Sequence, residues 1–354
     1  MPKKKRPTPP SAKAPIAGRP SHNAEDLRAA KQEWSSRLLK RRVMPASRAF
    51  AAAITPDPTW NLMGVGIGEK LVDGRHTGIM AVKFLVRAKY PENRIRKGHA
   101  LPKSIGGVPT DVEEVGLFRA LPAAGPTPAT VPNPRTRIRP AQPGCSIGFA
   151  DPNNQFVMAG TFGALVQDGK GVYILSNNHV LADEGQLPEG SPIFQPGLLD
   201  GGHQKTDQIA QLTKFVPLHP NVLNQVDCAI ARVSSPGDVS SAILQIGPPR
   251  EAGNAQIDMT VQKFGRTTDY TAGQVTSVDT DVTVQYETGN FTFGGQMIIV
   301  GLGGKPFSGA GDSGSLIVER TSNMGVGLLF AGSPTHTIAN HISDVLQTLS
   351  VSLA

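Results

Sequence analysis

Gly309-Ala310-Gly311-Asp312-Ser313-Gly314-Ser315-Leu316 leads into the apolar run Leu316-Ile317-Val318, and how this stretch is read decides how the rest of the chain folds. A hydroxyl flanked by residues without side chains leaves room for a carbonyl, and it frees the backbone N–H groups of Gly311 and Ser313 as a candidate oxyanion hole. A serine alone is a weak nucleophile near neutral pH, so the reading demands a base and a carboxylate to orient that base. Tyr173-Ile174-Leu175-Ser176-Asn177-Asn178-His179 puts a histidine straight after a strand-like run, and Gln225-Val226-Asp227-Cys228-Ala229-Ile230-Ala231 sinks an aspartate into another. A histidine after a strand is more often structural, and an aspartate inside one is more often a paired charge. Taken together in the order His, Asp, Ser, with gaps of 48 and 86 residues, His179, Asp227 and Ser313 are the candidate catalytic residues.

With these motifs, residues 142 to 354 resemble a chymotrypsin/trypsin-like (PA-clan) serine peptidase, of the bacterial type with an extra amino-terminal domain. Gly311-Asp312-Ser313-Gly314 matches the family's nucleophile motif, and Leu175 to His179 sits where the family has its strand before the base. Phe264-Gly265-Arg266-Thr267-Thr268 is similar to the hairpin that opens the second barrel. The resemblance implies a mainly β fold, a chymotrypsin-like double β-barrel with a C-terminal helix, its barrels spanning about 146–235 and 255–335. It also implies a serine endopeptidase, a hydrolase that takes polypeptide substrates through a catalytic triad and an acyl-enzyme, with no cofactor and no metal. A floor of the substrate pocket at Phe307 and a wall at Phe330, Ala331 and Gly332 follow from the same likeness, which puts the family's substrate-pairing edge at that wall. None of these is charged, so cleavage is expected after small or apolar residues. Ile147-Gly148 is similar to the terminus that trypsin-type zymogens release to pair with the aspartate before the nucleophile, here Asp312.

Composition bounds the remainder. The 39 glycines and 30 prolines among 354 residues favour short strands and turns over long helices. The net charge of +7 is uneven: residues 1–48 carry thirteen Lys and Arg against three Asp and Glu, so the basic character belongs to the leading segment. Cys145 and Cys228 are too few for a disulfide framework and read as small buried residues. There is neither a signal-like apolar stretch nor a run long enough to span a membrane, so the expected location is cytoplasmic, with no membrane partner.

Residues 1–23, rich in Lys, Arg and Pro, are expected to be a disordered basic tail. No aromatics interleave its charges, which argues against nucleic acid as a partner. Residues 24–58 form a helical segment capped by Asn23, with Leu27, Trp34 and Leu38 at near-helical spacing. Residues 59–118 read as a small α+β domain with strands at Met63–Ile67 and Met80–Val86, a candidate surface for a regulatory protein partner. Its Gly64, Gly66 and Gly68 lack the pattern of a phosphate loop. Residues 119–143 are a Pro-rich linker, and 144–354 the peptidase domain. Asp200, His203 and Asp207 lack metal-ligand spacing and read as solvated. Two alternatives remain: a catalytically weak peptide-binding or protein-binding module on the same scaffold, and a self-processing protein. Subunit number is open.

Overall fold

The computed structural model describes residues 22–39, 57–72, 74–120, 133–151 and 157–354. Most of the expected basic tail and residues 121–132 of the expected linker lie outside the described residues. Helix Ala24–Leu39 starts where Asn23 Oδ1 accepts the Asp26 amide at 2.8 Å, so the side chain expected to cap it does so. Strands β1 (Leu62–Val72), β2 (Arg75–Val86), β3 (Ser104–Ile105), β4 (Val108–Glu114) and β5 (Arg119–Ala120) follow. The first barrel takes β6 (Ser146–Phe149), β7 (Gly160–Thr161), β8 (Ala164–Asp168), β9 (Gly171–Ser176), β10 (Pro192–Phe194), β11 (Gln208–Phe215) and β13 (Ala229–Val233), with the short β12 (Leu223–Asn224) reaching out to the other sheet. The second takes β14 (Thr260–Gly265), β15 (Asp269–Gln285), β16 (Asn290–Gly301), β17 (Leu316–Glu319), β18 (Gly325–Gly332) and β19 (His336–His341). Helix Ile342–Leu349 and β20 (Ser352–Leu353) close the chain.

In the second sheet β14, β15, β16, β19, β18 and β17 are neighbours in that order, and β17 pairs again with β14, so the ring is closed. Closure removes the open edges that a half-buried sheet would otherwise expose. The first sheet runs β20-β8-β9-β13-β11-β10-β6-β7, antiparallel throughout. The final helix buries Ile342, Val345, Leu346 and Leu349 in the core of this first barrel, the face that its i, i+3, i+4, i+7 pattern predicts. Lys214 Nζ donates to the carbonyls of Thr348 and Leu349 and so satisfies the helix's last turn. Among the described residues no helix is long and apolar enough to cross a membrane.

The amino-terminal strands extend the second barrel's sheet. β1 lies antiparallel to β15, with Gly64 opposite Val282 and Gly66 opposite Thr280. A Cβ at Gly64 would stand 2.8 Å from the Asp281 carbonyl, and one at Gly66 would collide with the Thr280 side chain. Close approach of two strands is thus the physical reason for these glycines. The helix Ala24–Leu39 covers the outer face through Leu27, Ala30 and Trp34, whose ring meets Phe84 edge-on at 4.8 Å. Its Lys31 is buried and pairs with Asp279 and Asp281 of β15.

A second ion cluster joins the same halves. Lys83 Nζ lies 2.6 Å from Glu113 Oε2, and His336 Nε2 lies 2.9 Å from Glu113 Oε1. Burial would raise the Glu113 carboxyl, but His336 and Lys83 outweigh it and draw its pKa from 4.5 to about 2. A lowered carboxylate contributes stability that is complete above pH 4.5 and is lost as pH falls through about 2. Glu113→Gln is therefore expected to cost ~3 kcal/mol at neutral pH, a deficit that shrinks on acidification. Urea unfolding of both chains at pH 7 and pH 3 checks it: a deficit independent of pH counts against the cluster.

Candidate active site

His179 stands on a one-turn helix, Asn178–Leu181, that begins immediately after β9. β9 and β13 are adjacent, with Ser176 opposite Ala229, and this register brings Asp227, just ahead of β13, beneath the turn. His179 Nδ1 lies 2.6 Å from Asp227 Oδ2, with both side chains buried. The carboxylate is held from every side. Its Oδ1 accepts the Asn178 amide at 2.7 Å, and its Oδ2 also accepts the Tyr286 hydroxyl at 2.7 Å. Behind it, the Asp227 amide donates to Asn340 Oδ1, and Asn177 Nδ2 donates to the Asp227 carbonyl. Burial, then the charge of Asp227, raises the Tyr286 phenol well above its ordinary pKa, so the hydroxyl remains a donor.

The other imidazole nitrogen is the telling one. His179 Nε2 is buried and has no hydrogen-bond partner among the described residues. A buried ring nitrogen without a partner is costly unless another group comes to it.

Ser313 comes from the second barrel. Gly311 and Gly314, at φ +98° and +92°, adopt the left-handed conformation that turns the chain sharply on both sides of it. A side chain at Gly314 would also run into Ser176 and the Thr161 carbonyl, so this glycine lets the two barrels touch. The Thr161 amide donates to the Ser313 carbonyl at 2.9 Å, and Thr161 Oγ1 donates to the Gly311 carbonyl. Gly160 packs between Val180, next to His179, and the Ser313 carbonyl. Histidine and serine are in this way brought to one seam. Ser313 Oγ itself is fully buried and donates to the Phe330 carbonyl at 3.2 Å. Among the described residues neither the Gly311 nor the Ser313 amide donates a hydrogen bond.

Asp312 is settled without a released terminus. It accepts from the Thr267, Thr268 and Gly309 amides and from Thr268 Oγ1, and Lys263 Nζ lies 3.1 Å away, with both side chains fully buried. Burial opposes its charge, but Lys263 and these donors hold its carboxyl below the usual range. Ile147, the residue expected to imitate a released terminus, is buried in β6 opposite Gly160. Sequence reasoning passed over Lys263, Tyr286 and Asn340. The one legible signal was Lys263 inside the strand-like stretch Thr260 to Phe264, on the same face as Val261 at period two.

The proposed pocket residues lie in two places. The Phe307 ring packs with Val275, Ile299 and Leu329 in the second barrel's core, with Lys263 Nζ 5.9 Å from its centroid. Phe330 and Ala331 belong to a separate cluster with Phe293 and Tyr286, and Gly332 ends β18. In the loop read as solvated, Asp200 instead pairs with the buried Arg266 and accepts Ser146 Oγ, while the buried Asp207 accepts Arg137 Nε and the His203 amide. Cys145 and Cys228 are free and buried, and burial pushes the Cys145 thiol up to about 12.

Two β-barrels that meet at a seam, with a serine turn from one and a histidine-aspartate pair from the other, define a chymotrypsin-like scaffold. Residues 147–350 match the family model described as Trypsin, more than half of the chain, and the chain belongs to the trypsin family. Among solved structures it is similar to a glutamic acid specific serine protease with a histidine triad in substrate binding, at 16% identity over 60% of this chain and 100% of that one, TM-score 0.43. Thermobifida fusca Protease A gives 16% identity over 60% and 97% of the two chains, TM-score 0.43. Cellulomonas bogoriensis chymotrypsin gives 15%, with the same shares and a TM-score of 0.40. No curated protein matches the chain in sequence.

Proposed function

We propose that the chain is a serine endopeptidase that acts through Ser313, His179 and Asp227. The observation that carries this is the His179 imidazole, bound to Asp227 by one nitrogen and left with the other unpaired beside the Ser313 turn. In the proposed reaction His179 Nε2 takes the Ser313 proton as Oγ attacks the substrate carbonyl. The Gly311 and Ser313 amides hold the oxyanion. His179 then returns the proton to the leaving amine, and water, deprotonated by the same nitrogen, releases the acid from the acyl-enzyme. Asp227 stays ionised throughout, fixing the tautomer. For this step Ser313 Oγ must leave the Phe330 carbonyl and turn toward the imidazole. With Phe307 in the barrel core, the uncharged Phe330, Ala331 and Gly332 of β18 are what favour cleavage after small or apolar residues.

The test is covalent. Purified full-length chain incubated with a fluorophosphonate is expected to gain one adduct, mapped by peptide mass to Ser313 and absent after unfolding. A folded chain with the adduct elsewhere would remove the reading.

A further inference from the structure

On its β17 side β18 is bonded as far as Leu329, whose amide donates to the Ser315 carbonyl and whose carbonyl accepts the Gly314 amide, and it then runs past the end of β17 through Phe330, Ala331 and Gly332. The edge that β17 leaves begins beside Ser313, whose hydroxyl is bonded to the Phe330 carbonyl. This edge is already taken by the chain itself. β5 lies antiparallel on it, Ala120 opposite Ala331 and Arg119 opposite Gly332. On its far side Arg119 pairs with Gln285, whose amide donates to the Phe118 carbonyl at 3.0 Å. As β18 runs back from Gly332 toward Phe330, β5 runs forward, so the segment heads toward the nucleophile.

Its side chains alternate as a bound strand's should. Phe118 is fully buried in the cluster of Phe293, Phe330 and Tyr286, Arg119 is exposed, and Ala120 is buried. Ser313 has no exposed surface, so a substrate carbonyl reaches it only after something moves.

We propose that Phe118–Ala120 is a built-in peptide that holds the strand site a substrate must use, restraining the enzyme and mirroring its substrate class. The preferred substrate is an extended peptide with an aromatic residue where Phe118 sits, any residue where Arg119 sits and a small one where Ala120 sits. This rests on the peptidase reading above. Strand addition takes its affinity from main-chain hydrogen bonds and its selectivity from alternate side-chain pockets. A tethered segment competes at the millimolar effective concentration of a short linker, far above a free peptide.

Arg119→Pro tests it in the full chain. Proline cannot donate to a ladder, the side chain removed is exposed, and the Phe118 anchor stays. With acetyl-Phe-Arg-Ala-Leu-aminocoumarin, copying the sequence of residues 118–121, the variant is expected to show kcat/KM raised about tenfold or more. Added free peptide of the same sequence should inhibit it competitively. A folded variant that labels with fluorophosphonate and cleaves no faster than the parent overturns the proposal. Should the variant fail to fold, the unaltered chain decides. Aspartate in place of the probe's Phe should lower kcat/KM about tenfold, whereas glutamine in place of its Arg should not; equal rates for the aspartate and Phe probes overturn the proposal. If neither protein takes up fluorophosphonate, the peptidase reading fails by itself, and anisotropy of fluorescein-labelled Phe-Arg-Ala-Leu judges the strand site. Binding to Arg119→Pro about tenfold tighter than to the parent supports it, and equal binding overturns it.

Discussion

Ser313→Ala is expected to leave a folded chain whose kcat for peptide hydrolysis is lower by about 10⁶, the scale seen when a triad nucleophile is removed from a serine peptidase. The fold should survive because the hydroxyl makes one long bond, 3.2 Å to the Phe330 carbonyl, and the turn is set by Gly311 and Gly314. Losing that bond costs about 1 kcal/mol or less. What disappears is the only hydroxyl that the proposed scheme sets against His179 Nε2. Single-turnover kinetics beside a thermal unfolding curve separate the two effects. A variant that retains a hundredth of the parent's kcat would show that another group attacks the carbonyl.

The catalytic half of the fold was legible because its signals are local and its motifs carry their own geometry. The glycines framing Ser313, the strand before His179 and the apolar face of Ile342, Val345, Leu346 and Leu349 each state one element's requirement. What was not legible is pairing over distance. β15 runs unbroken from Asp269 to Gln285, through shifts of register around Ser277 and Thr280 that no local pattern marks. Polar Asp279 and Thr280 do not read as strand because their partners, Lys31 and Gly66, lie far along the chain. β5 was absorbed into a linker for the same reason: two residues carry no periodicity, and only the edge of β18 gives them a strand to join.

The site shows the same division. His179, Asp227 and Ser313 sit in strings whose neighbours announce them, but the groups that steady them do not. Tyr286 follows the end of β15 and Asn340 lies in β19, and nothing beside either in the sequence points to Asp227. Asp312 had a visible motif but no visible partner until Lys263, from β14, was found against it. A buried charge reveals itself in sequence, whereas its counter-charge is placed by the fold.

Asp227→Asn is expected to lower kcat by about 10⁴ with KM and stability little changed, and the reason lies in the donors around the carboxylate. Asp227 Oδ1 faces the Asn178 amide at 2.7 Å, a donor fixed in the backbone. An asparagine must therefore keep its carbonyl oxygen there and turn its NH₂ to the place of Oδ2, since the opposite flip would set two donors against each other. The NH₂ then donates to His179 Nδ1, which becomes the acceptor, and the ring proton moves to Nε2. In that tautomer Nε2 cannot take the Ser313 proton. The Tyr286 hydroxyl, having lost its acceptor, can turn its lone pair to the same NH₂, so the packing of Tyr286 on Phe291 and Phe293 need not alter. Steady-state kinetics with circular dichroism check the outcome. A kcat within tenfold of the parent's would mean that Asp227 does not set the tautomer of His179.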